Sequence, residues 1–273
     1  MIGDIMKISR LRLGTDGVGV TTLVAFFGCP LNCKYCINDF CHGRRAIWYG
    51  EIPRAAYTPK ELIKILEKDD VYFRMSDGGV TFGGGEPLMQ SAFIHKVCKL
   101  APHAWKKRIE TSLNVPWRFV ALLVDDLDEW IIDVKDIDET VYEEYTGASN
   151  RYMKDNLVKL AKFVEPSKLR VRVPRIPNFN NEENVQKSVQ WIKDVVKVNP
   201  EVFDYTVTPK INQRKPLTGL MDFWDDDDES FWNHYNSIEY NDDSFESNDD
   251  DSFESNDDDS FESSDDDSFE SND

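Results

Sequence analysis

The chain has 273 residues, room for one large domain or two small ones, and carries 51 acidic against 32 basic side chains for a formal net charge of −19. The charge is unevenly placed: the last base is Lys215, and residues 222–273 hold 23 of the acids, so residues 1–221 balance at +4. A body so near neutral lacks the clustered basic face of a nucleic-acid binder, and no run of 18 apolar residues offers a membrane span.

The opening, Met1-Ile2-Gly3-Asp4, has no basic segment followed by an apolar one, so no secretory signal is read. Five cysteines, three of them within eight positions, make a poor disulfide framework and a good metal site in a reducing compartment. A cytoplasmic monomer is expected.

Strand and helix signals alternate along the body. Thr22–Phe27 is a short apolar run closed by Gly28, a first strand. Thr58-Pro59-Lys60-Glu61 is a capping box with proline at the first helical position, followed by Leu62, Ile63, Ile65 and Leu66 at helical spacing. Gly79–Phe82 predicts a second strand and Pro87–Leu100 a helix. Lys107–Thr111 predicts a third strand, Trp117–Val124 a helix and Trp130–Val134 a fourth strand. Two helical pieces, Glu139–Tyr145 and Met153–Phe163, precede a fifth strand at Leu169–Val173. A helix over Asn184–Val198 and a sixth strand at Phe203–Thr208 complete the series. Six βα units predict an α/β protein with a parallel sheet and helices outside it. Six is fewer than the eight of a closed barrel, so a partial (βα)6 barrel is expected.

The expected body is residues 1–221. Residues 222–241 form a transitional segment in which Phe223, Trp224, Phe231, Trp232 and Tyr235 sit among acids. Residues 242–273 are an eight-residue unit repeated four times, DDSFESND with one Ser-for-Asn change, each copy holding four acids and a single Phe. One apolar residue in eight cannot bury enough area to offset ordering entropy, so the repeats predict a disordered acidic tail.

The chemistry concentrates in Cys29, Cys33 and Cys36, spaced Cys-x3-Cys-x2-Cys directly after the first strand. Three thiolates on one loop suit an iron–sulfur cluster and leave one iron of a cubane open for a small molecule. The competing reading is structural zinc, but zinc ribbons pair two Cys-x2-Cys hooks and the chain has no second. Cys41 reads as a loop thiol and Cys98, among Ile94, Val97 and Leu100, as a core residue. His42 reads as an exposed loop histidine, and His95 and His103 have no partners at ligand spacing. The Asp225–Asp228 run lacks the glycine spacing of a calcium loop and reads as a solvated acidic stretch.

These residues resemble the radical S-adenosylmethionine (SAM) superfamily, in which Cys-x3-Cys-x-aromatic-Cys holds a [4Fe-4S] cluster whose open iron chelates SAM. Tyr35 supplies the aromatic residue. Gly83-Gly84-Gly85-Glu86-Pro87, after the second strand, resembles the family's GGE-P element, which contacts the SAM amino group. The resemblance narrows to the activases of glycyl radical enzymes, the pyruvate formate-lyase activating enzyme group, over most of residues 8–200. It is carried by Asp16-Gly17-Val18-Gly19, Gly78–Phe82, Glu110-Thr111-Ser112, Asp133-Val134-Lys135, Tyr145–Asn150 and Arg172–Pro177. Val18 stands where the group has Pro, Thr21 where an Arg is frequent, and Pro209-Lys210-Ile211 where Pro-Tyr-His is frequent.

The resemblance implies a radical SAM barrel with one [4Fe-4S] cluster on Cys29, Cys33 and Cys36. It implies SAM bound by Tyr35, Gly83, Gly84, Gly85, Glu86, Glu110, Asp133 and Lys135, with no catalytic residue beyond these. Asp16 is a further candidate for gripping substrate backbone. The implied activity is reductive cleavage of SAM to a 5′-deoxyadenosyl radical, fed by flavodoxin or ferredoxin, that installs a glycyl radical on a partner enzyme. Two other readings stay open: a radical SAM maturase acting on a ribosomal peptide or a small molecule, and a non-enzymatic iron–sulfur scaffold whose acidic tail recruits partners.

Overall fold

The computed structural model describes residues 1–42, 55–205 and 207. The expected body–tail boundary, the aromatic segment, the acidic repeats, Pro209-Lys210-Ile211 and the end of the expected sixth strand lie outside the described residues.

A single eight-stranded sheet runs through the body in the order β3-β1-β2-β4-β5-β6-β7-β8. The strands are β1 (Gly3–Leu13), β2 (Val20–Phe26), β3 (Ala55–Tyr57), β4 (Gly79–Gly84), β5 (Lys106–Thr111), β6 (Glu129–Asp133), β7 (Leu169–Arg175) and β8 (Glu201–Asp204). From β2 to β8 every pairing is parallel, which gives the six strands of the expected open barrel. β1 and β3 extend the β2 side by antiparallel pairing. Among the described residues seven α-helices connect the strands: α1 (Pro59–Leu66), α2 (Asp70–Ser76), α3 (Ser91–Leu100), α4 (Trp117–Ala121), α5 (Glu139–Thr146), α6 (Arg151–Phe163) and α7 (Glu182–Val195).

The strands bury short apolar runs on both faces, as a parallel sheet under helices requires. Val24, Phe26, Val80, Phe82, Ile109, Ile131, Ile132 and Val173 are essentially inaccessible. Leu62 and Leu66 of α1, Ile94 and Val97 of α3, and Leu157 and Leu160 of α6 are equally buried beneath them. The capping box of α1 forms as expected, with Glu61 N–H donating to Thr58 Oγ1 at 3.3 Å and Thr58 N–H to Glu61 Oε2 at 2.8 Å.

Some boundaries shift. Pro87–Leu100 is not one helix: Pro87–Gln90 is a 3-10 turn capped by the Glu86 side chain, and α3 begins at Ser91. The helix expected at Trp117–Val124 stops at Ala121, that at Asn184–Val198 runs from Glu182 to Val195, and the last strand is Glu201–Asp204. β1 gave no sequence signal because two register irregularities, at Ile5/Lys7 and Ser9/Arg12, break its period of two. It is anchored instead by charge: Arg10 donates to the wholly buried Asp69 at 3.0 Å, and Thr22 Oγ1 reaches the same carboxylate at 2.7 Å. Among the described residues no helix is long and apolar enough to cross a membrane.

Candidate radical SAM site

β2 ends at Phe26, and the chain turns through Gly28, whose φ of +91° is a left-handed value that favours glycine. The loop that follows carries Cys29, Cys33 and Cys36, all free and half-buried. It is held from two sides. Toward β4, Gly28 N–H donates to the Cys41 carbonyl at 2.7 Å, Glu86 N–H to the Gly28 carbonyl at 2.7 Å, and Asn38 Nδ2 to the Gly84 carbonyl at 2.8 Å. Toward α5, Asn32 N–H donates to the Thr146 carbonyl at 2.7 Å and Lys34 N–H to the Tyr145 carbonyl at 3.0 Å. The last carbonyls of α5, which no helical amide can reach, are thereby satisfied by the residues on either side of Cys33.

The glycine run explains how the two loops come so close. Gly84 has φ +98° and a Cβ there would lie 2.8 Å from Ala25, while a Cβ on Gly85 would collide with the Gly28 carbonyl oxygen. Gly83 faces another way, and a Cβ there would stand 3.3 Å from Glu110 Oε2.

Glu86 is buried, and its carboxylate is fully engaged by the protein. Thr111 Oγ1 donates to Oε1 at 2.7 Å and Leu88 N–H at 3.2 Å; Ser112 donates to Oε2 through its N–H at 2.9 Å and its hydroxyl at 2.7 Å. Burial raises its pKa, and the hydrogen bonds from Ser112 and Thr111 oppose the rise. The side chain ties the turn after β4 to the end of β5, and a direct salt link to a ligand ammonium would have to displace one of these donors.

Beyond Glu86 a ladder of alternating charge crosses the C-terminal ends of β5, β6 and β7. Lys135 Nζ lies 2.9 Å from Asp133, Arg172 Nε donates to Asp133 at 2.7 Å, and Arg172 Nη1 lies 3.2 Å from Glu110. The sheet register sets Asp133 directly opposite Arg172. Burial works against the charge on Asp133, but Lys135 and Arg172 outweigh it and hold its pKa below the usual value. Lys135 likewise is held above its usual pKa by Asp133 against the effect of burial. Glu110 is raised by burial, Arg172 only partly compensating. Arg12 and Asp16 pair side by side, and the field of each reaches Glu110. Asp16 is buried and engaged by Arg12.

The loop thiols differ among themselves. Burial pushes Cys33 up to about 12, with Lys135 opposing. Cys36 lies lower, at about 7, chiefly because the Cys41 thiol donates to it. Cys41 is therefore not an ordinary loop thiol: it is 1% exposed and its thiol lies against Cys29 and Cys36. Three thiols with a lysine ammonium in their field are a donor set suited to an anionic iron–sulfur cluster. Tyr35 packs edge-on to Tyr145 and Phe179, takes a hydrogen bond from Asn178 at 3.2 Å on its hydroxyl, and receives the Tyr205 hydroxyl on its carbonyl at 2.6 Å. Tyr205 and Arg12 gave no signal in the sequence, and Thr111 and Ser112 stood there only as members of the Glu110-Thr111-Ser112 motif, since only the fold brings them to Glu86 and Tyr35.

The remaining candidates fall elsewhere. His95 pairs with Asp126 at 2.6 Å, which also takes Lys99 at 3.0 Å. Cys98 is buried in the core as expected, and His42 is half-buried rather than exposed.

Residues 23–207, which hold most of the sheet, the cysteine loop and the charge ladder, match the family described as the radical SAM superfamily. That is well over half of the chain, and the chain belongs to this superfamily, whose members work with SAM and an iron–sulfur cluster. Among its relatives are activating enzymes. It is 32% identical to the (2S)-3-sulfopropanediol dehydratase activating enzyme of Klebsiella oxytoca, over 70% of this chain and 77% of that one. It is 30% identical to the pyruvate formate-lyase-activating enzyme of Clostridium pasteurianum, over 72% and 79%. The crystal structure of Streptococcus suis SuiB shares the fold, with a TM-score of 0.51 at 16% identity over 69% of this chain and 40% of that one.

Proposed function

We propose that this chain is an activase that installs a glycyl radical on a partner enzyme. The observation that carries the reading is the joining of the three-thiol loop, the β4 glycine turn and the Glu110–Arg172–Asp133–Lys135 ladder on one edge of a parallel sheet, in a chain whose named relatives are activating enzymes.

Cys29, Cys33 and Cys36 hold one [4Fe-4S] cluster, and SAM binds beside it. Bound there, the two groups would supply reductive cleavage of SAM, with flavodoxin or ferredoxin as the electron source, and removal of hydrogen from a glycine Cα of the partner. The chain's own residues bind, orient and exclude water. The amino-acid end of SAM carries an ammonium and a carboxylate, and the ladder offers both signs: Glu110 and Asp133 for the one, Lys135 and Arg172 for the other. Gly83, without a side chain, keeps the face of Glu110 open. Glu86 braces the turn, and Tyr35, packed against Tyr145 and Phe179, steadies the cysteine loop. Lys135 also steadies the negative charge of the thiolates.

The test is anaerobic reconstitution with iron and sulfide, followed by reduction and addition of SAM. About four irons, 5′-deoxyadenosine, and a glycyl-radical EPR signal on a co-expressed glycyl radical enzyme are expected. Cys29→Ala, Cys33→Ala and Cys36→Ala remove iron and SAM cleavage, whereas Cys98→Ala keeps both. Full iron loading in Cys33→Ala overturns the cluster assignment. Cleavage of SAM with no radical on any such enzyme favours the maturase reading.

A further inference from the structure

Tyr142 lies on α5 and is fully buried, yet its hydroxyl has no hydrogen-bond partner. Among the described residues only three buried side-chain polar atoms share that condition. The other two, Arg108 Nη1 and Trp130 Nε1, belong to the N-terminal halves of β5 and β6. Tyr142 belongs to the opposite end of the sheet. It stands one turn before Tyr145 and Thr146, whose carbonyls hold the amides flanking Cys33. Thr146 Oγ1 donates to the Tyr142 carbonyl at 2.7 Å, which fastens that turn.

Buried polar groups in folded proteins nearly always find a partner, so an orphan beside a cofactor loop asks for one. Burial raises the Tyr142 pKa far above the ordinary phenol value, so the group is a hydrogen-bond donor at every working pH. Cys33, Glu86 and Cys29 lie near enough to add to that rise. Glu86 is already engaged by Thr111, Ser112 and Leu88. Tyr142, Tyr145 and Thr146 share one face of α5 at i, i+3 and i+4, and that face meets the cysteine loop through Tyr35, Asn32 and Lys34.

We propose that the Tyr142 hydroxyl donates a hydrogen bond to sulfur of the bound cluster, at Cys33 Sγ or an adjoining sulfide, and thereby raises the cluster's reduction potential. The proposal rests on the reading of Cys29, Cys33 and Cys36 as the cluster ligands. Reduction adds negative charge to the sulfurs, so a donor aimed at them favours the reduced state, and such bonds are one of the protein's controls over cluster potential. Tyr142 on this view touches the cofactor while its ring packs the core.

Tyr142→Phe deletes the hydroxyl and leaves the ring. Wild type and variant are reconstituted anaerobically and assayed for iron first; a wild type that binds no cluster sinks the ligand assignment and is distinguishable from failure of the Tyr142 inference. With both loaded, an EPR-monitored redox titration is expected to show Tyr142→Phe harder to reduce by about tenfold in the equilibrium, or about 59 mV for one electron. In D2O, pulsed EPR of the reduced wild type is expected to show an exchangeable deuteron coupled to the cluster that Tyr142→Phe lacks. Equal potentials with the deuteron coupling retained overturn the proposal. Should the variant fail to load, 3,5-difluorotyrosine placed at position 142 keeps the shape and strengthens the donor. The potential is then expected to rise, and an unchanged or lower potential overturns the proposal equally.

Discussion

Four hydrogen bonds converge on the two oxygens of Glu86, and this fixes what substitutions there do. Glu86→Ala strands the Thr111 hydroxyl and both Ser112 donors, at about 1–3 kcal/mol for buried groups left unpaired, so the melting temperature falls along with SAM affinity. Ser112→Ala separates a brace from a direct ligand contact. It leaves the carboxylate in place and frees one of its lone pairs. A brace predicts weaker SAM binding by calorimetry; a carboxylate that binds the ammonium itself predicts equal or tighter binding. Asp133 gives the opposite electrostatic case. Its folded-state pKa lies below the ordinary 3.8, because Lys135 and Arg172 outweigh burial, so its stabilisation is complete above that value and is lost as pH falls through the folded pKa. Asp133→Asn leaves two cations without their shared partner and is expected to lose on the order of 3 kcal/mol at pH 7. The difference from wild type should shrink in denaturant melts below pH 4. A constant difference across that range would show that Asp133 acts by shape alone.

At the scale of elements, α5 links the sheet to the cofactor loop. Its last carbonyls hold the amides of Asn32 and Lys34, and Gly147 ends it in the left-handed region at φ +73°, with its N–H on the Glu143 carbonyl at 2.7 Å. Gly147→Ala meets no clash, since the nearest atom is Asn32 Cβ at 3.8 Å, and is strained only by its backbone, at about 1–2 kcal/mol. The expected result is normal iron loading but faster loss of iron to a chelator, because relaxing that turn loosens both amide contacts beside Cys33. An unchanged release rate with a lowered melting temperature would separate the helix cap from the loop. Elements of this kind were legible in the sequence where local chemistry repeats itself. Thr58 and Glu61 announced α1, and the runs in β2, β4 and β6 announced buried parallel strands. β1 was not legible, because its bulges cancel the alternation and its anchor is the Arg10–Asp69 pair, 59 residues apart. The site divides the same way. The cysteine spacing and the glycine turn are local patterns, whereas the engagement of Glu86, the Arg12–Asp16 pair and the orphan hydroxyl of Tyr142 exist only once distant strands and helices meet.

The whole molecule is electrically two-sided along its sequence, with residues 1–221 at a formal +4 and the full chain at −19. The charge of residues 222–273 bears on the long-range encounter with a charged protein partner, an effect that salt weakens. A chain at −19 repels an acidic protein donor where a body at +4 attracts it. Truncation after Met221 is therefore expected to leave 5′-deoxyadenosine formation unchanged when a small-molecule reductant is in excess. With an acidic protein donor limiting, the truncated chain should turn over faster at low salt, by roughly tenfold on the scale of electrostatic steering. The two forms should converge as salt is raised, because screening removes repulsion and attraction alike. A gain that persists at high salt would mean that the acidic segment blocks the donor by occupying its place. No gain at any salt would mean that donor binding is set by contacts on the cysteine loop, where Ile37 and Phe40 are exposed, and that the charge of residues 222–273 does not reach the encounter.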